Sequence, residues 1–309
     1  MSIKIIPQQE LENNNTTSVV NKIPLLFYPT PKLIYQHRYE RLLQLAKNNP
    51  FADYLQFCAI IAKTQNQLIQ NNPIHCDLTN ITQTATARDL SPLSLENYPL
   101  TEKWLEYFYP ILESVKEINE SITKTINTLA QYKKPQLMEK AQQLLQGDLT
   151  HIDSGESLFI WAALSVYYAQ LASKITGKAV AQLGEKRFLC PVCNSEPTAS
   201  VIHLGSNAGL RYLHCGLCET QWHVPRVKCT NCDNLAELTY FSLNDEKSPV
   251  KTECCDHCHS YLKIFNQECD PHIEVVADDI ASLMLDMKTE EAGYTKSGIN
   301  PFLFANQPE

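Results

Sequence analysis

Apolar residues recur at spacings of three and four through the first half of the chain. Phe51, Tyr54, Leu55, Cys58, Ile61, Ala62, Leu68 and Ile69 make one such stripe, interrupted only by Gln65. That period marks the buried face of an amphipathic helix. Asn-Asn-Pro brackets the stripe, at 48–50 and again at 71–73. Proline cannot continue a helix but suits a first turn, so Pro50 closes one helix that starts near Leu33 and opens the next. Residues 74–100 are less regular, and Pro92 and Pro99 place loops there. Helical spacing returns over 101–130, with Pro110 predicting a kink or restart. It continues over 135–146, ending near Gly147, and over 154–176, ending at Gly177. No strand pattern of useful length is visible in the first 180 residues.

The pattern changes after Lys186. Short alternating runs replace the helical period: ASVIHL, RYLHC, QWHVPRVKC, ELTYFSL and YLKIF. Alternation of this kind marks strands of small ribbon modules. Asp270-Pro271 then reads as the cap and first turn of a last helix over about 271–291, with Gly293 closing it. Phe302, Leu303 and Phe304 form an apolar patch near the end that needs a surface to dock on. The predicted fold class is α+β: an α-helical N-terminal domain, two tandem rubredoxin-like or zinc-ribbon metal modules, and a C-terminal helix. The boundaries are a lead-in over 1–24, helices over 25–184, modules over 185–225 and 226–270, and helix and tail over 271–309.

Composition narrows the picture. The 309 residues are 44% hydrophobic, enough for a packed core, and 9 Gly is low for an enzyme built on glycine-rich phosphate loops. No leader-like segment opens the chain. The longest apolar stretch, Leu158 to Ala172, is short for a membrane span and contains Ser165, Tyr167, Tyr168 and Gln170. A cytoplasmic location without stable membrane insertion is therefore expected. In that reducing setting paired cysteines point to metal or redox chemistry rather than disulfides.

Ten of the 12 cysteines lie between 190 and 269. Eight form Cys-x-x-Cys knuckles: Cys190/Cys193, Cys215/Cys218, Cys229/Cys232 and Cys255/Cys258. The first and third knuckles are 39 residues apart, and the second and fourth 40. A duplicated module explains the repeat, each copy supplying one tetrathiolate site from two consecutive knuckles. The crossed alternative joins Cys215 and Cys218 to Cys229 and Cys232. Tetrahedral S4 suits zinc and a single rubredoxin-type iron alike. Cys-Pro-Val-Cys at 190–193 resembles a rubredoxin knuckle, but Asn194, Glu219, Asp233 and His259 stand where glycine often follows. Asn and Asp tolerate a left-handed backbone, Glu and His less readily. With eight thiolates available, His214, His257 and His259 are read as neighbours rather than ligands. Cys254 and Cys269 are spare thiols, and Cys58 and Cys76 are ordinary small buried or semi-buried residues.

The stretch GLRYLHCGLCETQWHVPRVKCTNC (209–232) strongly resembles the formate dehydrogenase accessory protein FdhE family. The similarity extends to CPVCNSEP (190–197), YLKIFNQECDPHIEVVADDIASLMLDM (261–287) and SGINPFLF (297–304). It also reaches back through FIWAALSVYYAQLA (159–172), NNPFADYLQFCAIIA (48–62) and MSIKIIPQ (1–8). The resemblance implies a helical domain followed by rubredoxin-like modules. It implies a cytoplasmic maturation factor that contacts the catalytic subunit of respiratory formate dehydrogenase before export. It favours iron over zinc, and it carries the eight knuckle cysteines over as ligands.

Other function classes find less support. No nucleophile elbow, P-loop or dinucleotide fingerprint is present, so no enzyme is expected. Residues 185–309 carry the chain's whole net charge of −8. That opposes nucleic-acid binding, although Arg211, Arg226 and Lys228 could form a small basic patch. A redox-sensing or electron-transfer rubredoxin-like protein is the alternative.

Overall fold

The computed structural model describes residues 23–148, 152–175, 188–235, 238–243 and 247–303. Most of the expected lead-in, the helix stop at Gly177, and Phe304 lie outside the described residues. Helices α1 (Pro31–Ala46) and α2 (Ala52–Asn71) pack against each other and follow the two Asn-Asn-Pro signals. Gln65, the break in the apolar stripe, is buried and donates through Nε2 to Ala162 O and Ser165 Oγ. It is a polar tie to α7 (Ser154–Ala172), the centre of the helical domain. Every residue of α7 from Glu156 to Ala172 is buried. A helix apolar on all sides is covered on all sides, which accounts for its mixed but unbroken hydrophobic run. Asp153 caps it, accepting from the N–H groups of Gly155 and Glu156.

Three helix expectations need correction. Residues 79–88, read as irregular, form α3 (Thr79–Arg88); only Ala85 is buried, so no apolar stripe announces it. The stretch 101–130 does divide, but not at Pro110. That proline sits inside α4 (Leu105–Val115) on its exposed side, and the break comes at Asn119, which caps α5 (Glu120–Gln131) through a bond from Ile122 N–H. Helix α6 (Lys134–Leu145) then matches the expected 135–146. The last helix is not continuous. It splits into α8 (Val275–Ala281) and α9 (Leu283–Glu291), and Glu274 rather than Asp270 caps it, accepting from Ala277 N–H. At the break, buried Lys263 Nζ donates across the interface to the carbonyls of Asp279 and Ser282.

The strands are β1 (Leu26–Phe27), β2 (Pro197–Ile202), β3 (Arg211–Cys215), β4 (Gln221–Val224), β5 (Leu238–Phe241), β6 (Val250–Cys255), β7 (Ser260–Asn266) and β8 (Thr295–Lys296). The described strands form one sheet in the order β1-β4-β3-β2-β7-β6-β5, with β8 also on β7. The two halves of the repeat, β2-β3-β4 and β5-β6-β7, join by parallel pairing of β2 with β7, Val201 opposite Phe265. β1 is a strand inside the part expected to be helical; it pairs Leu26 with Trp222 on the outer edge of the first half. The apolar tail is docked: Phe302 is buried in the main core, and Tyr54 donates its hydroxyl to the Phe302 carbonyl.

Candidate metal centres

All four knuckles have one backbone form. In each, the N–H four residues on donates to the carbonyl of the leading cysteine: Asn194 to Cys190, Glu219 to Cys215, Asp233 to Cys229 and His259 to Cys255, at 2.8–3.1 Å. The residue making that bond is left-handed every time, with φ of 65°, 61°, 63° and 52°. Glycine is the usual choice there, since it has no Cβ to clash with the following carbonyl. The closed turn aims both sulfurs of a knuckle to the same side.

Consecutive knuckles then meet. Cys190, Cys193, Cys215 and Cys218 form one group and Cys229, Cys232, Cys255 and Cys258 another, with all sulfurs of a group within 4.8 Å of one another. Crossed pairing does not occur. Across the first group Cys190 lies 3.5 Å from Cys218 and Cys193 3.4 Å from Cys215; in the second both corresponding distances are 3.8 Å. Sulfurs placed about 2.3 Å from a central ion make a tetrahedron with edges of about 3.8 Å. The second group has that size and the first is slightly contracted.

The surroundings suit negative sulfur. Cys218 N–H donates to Cys215 Sγ at 3.4 Å, and hydroxyls stand at matching positions, Thr220 3.2 Å from Cys218 Sγ and Ser260 3.0 Å from Cys258 Sγ. Burial pushes the thiols of Cys190, Cys215 and Cys218 well up. Burial acts the same way on Cys193, but bonds from the other three thiols outweigh it and hold Cys193 well down. In the second group burial pushes Cys229 up to about 12, while bonds from Ser260, Cys232 and Cys255 overcome burial and bring Cys258 to about 7. Four clustered sulfurs therefore share little negative charge by themselves, and a cation is what allows all four to ionise. The Tyr168 hydroxyl supports the fit. It is buried without a hydrogen-bond partner among the described residues, and Cys193 and Cys218 are among the groups that perturb it electrostatically. A hydroxyl in that position suits a charged sulfur set better than a neutral one.

The two groups differ in setting. The first lies within the main apolar core with α7, and Trp161 donates its indole N–H to the carbonyl of Gly216 inside the second knuckle. Glu219 completes the attachment. Its carboxylate takes both terminal nitrogens of Arg38 at 2.8 Å, and His214 Nε2 lies 2.9 Å away. Arg38 also donates to Glu274, the cap of α8. Burial opposes the Glu219 charge, but Arg38 and His214 dominate and hold its carboxyl at about 2. The left-handed Glu219 thus ties metal module, helical domain and C-terminal helix together. Arg41 repeats the tie through Asp278 and Asp270. The second group belongs to neither apolar core among the described residues, and its Cys232 and Cys258 are partly exposed.

The other cysteines stand apart. Cys254 is buried, its Sγ 3.8 Å from Thr252 Oγ1, and Cys58 is buried as expected, whereas Cys76, expected to be at least half-buried, is exposed, as is Cys269. The small basic patch that Arg211, Arg226 and Lys228 could have formed loses Arg211, which is buried and gives both terminal nitrogens to Glu253. Among the described residues no helix is long and apolar enough to cross a membrane. Sequence reasoning missed Arg38, Glu274 and Tyr168 around the first group; Glu219, an unfavourable residue at a left-handed position, was the one visible signal.

Comparison with known proteins gives a consistent result over the chain. Three family models match in succession: the N-terminal part of FdhE over residues 23–185, its central domain over 189–226 and its C-terminal domain over 227–303. A Protein FdhE from Escherichia coli (strain SMS-3-5 / SECEC) is 45% identical over 310 residues, covering 100% of both chains. A Protein FdhE homolog from Proteus mirabilis is 44% identical over 99% of this chain and 100% of its own. The crystal structure of the FdhE protein from Pseudomonas aeruginosa superposes with a TM-score of 0.83 at 32% identity, covering 91% of this chain and 99% of that one.

Proposed function

The chain belongs to the FdhE family of formate dehydrogenase accessory proteins, and on that premise we propose that it acts in the cytoplasm on the catalytic subunit before export, with a metal ion in each tetrathiolate centre. Its role is accessory rather than catalytic, and its partner is the catalytic subunit of formate dehydrogenase. The observation that carries this reading is the match over the whole length of full-length relatives, helical part and both cysteine modules together. Cys190, Cys193, Cys215 and Cys218 would hold one ion, and Cys229, Cys232, Cys255 and Cys258 the other. A closed S4 set leaves no position for substrate, so the ion supplies cross-linking rather than Lewis-acid chemistry. Iron is favoured and zinc also fits the donor set.

The working division keeps 25–184 as the helical domain, 185–225 and 226–270 as the metal modules, and 271–309 as the C-terminal helix and tail. The last segment packs both on α1 and on the module strands β2, β6 and β7, and so bridges the helical domain and the modules. Deleting the gene should lower formate oxidation while other molybdenum enzymes keep their activity, and the purified protein should capture the catalytic subunit. Unchanged formate oxidation in the deletion strain would count decisively against the reading. Absorption spectra of anaerobically purified protein separate iron from zinc, since only ferric thiolate is strongly coloured.

A further inference from the structure

Beside the first sulfur group lies a cavity of about 440 Å³. Its walls come from the 89–96 loop, the C-terminal end of α6 at Leu144 to Gly147, the first knuckle and Ile299. Of the four sulfur residues only Cys193 lines it. Cys193 is also the only member of the group with measurable exposure, 7%, against 0% for Cys190, Cys215 and Cys218. The cavity is polar where it meets the knuckle, with Ser94, Asn194, Ser195 and Glu196 around Cys193. Glu196 is exposed, and nothing cationic among the described residues pairs with it. Among the described residues the group otherwise shares one apolar core with α7, the sheet and the docked Phe302.

We propose that this cavity is the exchange port of the first centre, the site where a small oxygen- or sulfur-donor ligand meets the metal, with Cys193 as the ligand that leaves and Glu196 as the first oxygen donor outside. The proposal rests on the metal reading above. In the exchange the Cys193 sulfur would give up its place at the ion and take a proton from solvent, and an incoming carboxylate oxygen or thiolate sulfur would take that place, with no change of oxidation state. The other three sulfur residues are 0% exposed among the described residues, so exchange begins at Cys193 or requires opening of the core. The second centre needs no port, because Cys232 and Cys258 already reach the surface. The two centres therefore exchange at different rates, the second fast and the first slow and gated by the cavity.

The test loads the full chain with cobalt(II) and follows loss of the thiolate-to-cobalt absorption after excess EDTA. Release should be biphasic, with one equivalent in each phase, and Cys229→Ser should abolish the fast phase. Leu145, half-buried on the cavity wall, provides the probe. Leu145→Trp should slow the slow phase by about tenfold and Leu145→Ala should hasten it, both leaving the fast phase alone. Glu196→Gln, at an exposed position, should slow the same phase without changing the cobalt spectrum. A single release rate in the wild type, or a slow phase indifferent to all three cavity variants, overturns the port. A protein that takes up less than two equivalents of cobalt at the outset instead defeats the underlying metal reading.

Discussion

At the scale of single residues, buried charge is the recurring device. Asp279 is fully buried between Lys263 and Lys296, and Asn300 donates to it at 2.7 Å. Burial opposes its charge, but the two ammonium groups outweigh burial and hold its carboxyl at about 2, below the ordinary 3.8. A folded-state pKa lowered in this way contributes stability that is complete above the unfolded value and disappears as pH falls through the folded one. The loss window is therefore pH 3.8 down to about 2. Its size is about 2 kcal/mol at 1.36 kcal/mol per pKa unit. Denaturant titrations of wild type and Asp279→Asn between pH 5 and pH 2 isolate it, because thiolate protonation is common to both proteins. The variant should start less stable and lose less over that window; parallel curves would refute the assignment. Cysteine spacing, by contrast, needed no tertiary information. Two intervening residues close the same turn four times, and Asn, Glu, Asp and His each accept the left-handed backbone that the turn imposes.

At the scale of elements, the hydrophobic period located most helices and mistook their breaks. Pro110 read as a kink or restart, yet α4 continues past it, with Pro110 and Glu106, whose carbonyl the proline leaves without its helical donor, both on the exposed side. Proline still removes one bond of the helical ladder. Pro110→Ala should therefore stabilise the protein by about 1–3 kcal/mol, read as a higher melting temperature. An unchanged or lower value would show that the local backbone depends on the ring. Helix α3 stayed invisible because it buries only Ala85 and so carries no stripe. The split between α8 and α9 was hidden for a different reason: the Lys263 ammonium that binds the carbonyls at the break comes from a strand. β1 escaped notice because two residues show no alternation, and its pairing with β4 is what makes it a strand.

At the scale of the whole molecule, the two centres have unequal structural weight. The first is embedded in the core shared by α1, α2, α7 and the docked tail, and Arg38 clamps its second knuckle to both Glu219 and the α8 cap. The second lies in the outer half of the sheet beside the edge strand β5. Cys190→Ser and Cys229→Ser should each reduce bound metal from two ions to one. Cys190→Ser should also lower the cooperative melting temperature of the entire chain and weaken capture of the catalytic subunit. Cys229→Ser should loosen only the second half of the sheet, seen as faster amide exchange in β5 and β6 with helix protection retained. Equal global destabilisation by both would show that the two halves fold as one unit. Cys254→Ser should leave both ions in place, since Cys254 faces Thr252 instead of the sulfur group.

The sequence by itself determined the helical first part, the duplicated knuckles and the family, and its repeat favoured consecutive pairing over the crossed one. These depend on local periodicity and on short-range spacing, which backbone geometry reads directly. Tertiary structure decided how the halves join: the parallel seam between β2 and β7, the seating of the first centre against α7, and the buried ion pairs from Arg38 and Arg41 to residues more than 180 positions away. Such pairs leave no periodic trace, because a buried arginine and its carboxylate can stand anywhere along a chain provided the fold brings them together. The unequal exposure of two nearly identical cysteine sets has the same origin, since it is set by what packs over each module and not by the module's own residues.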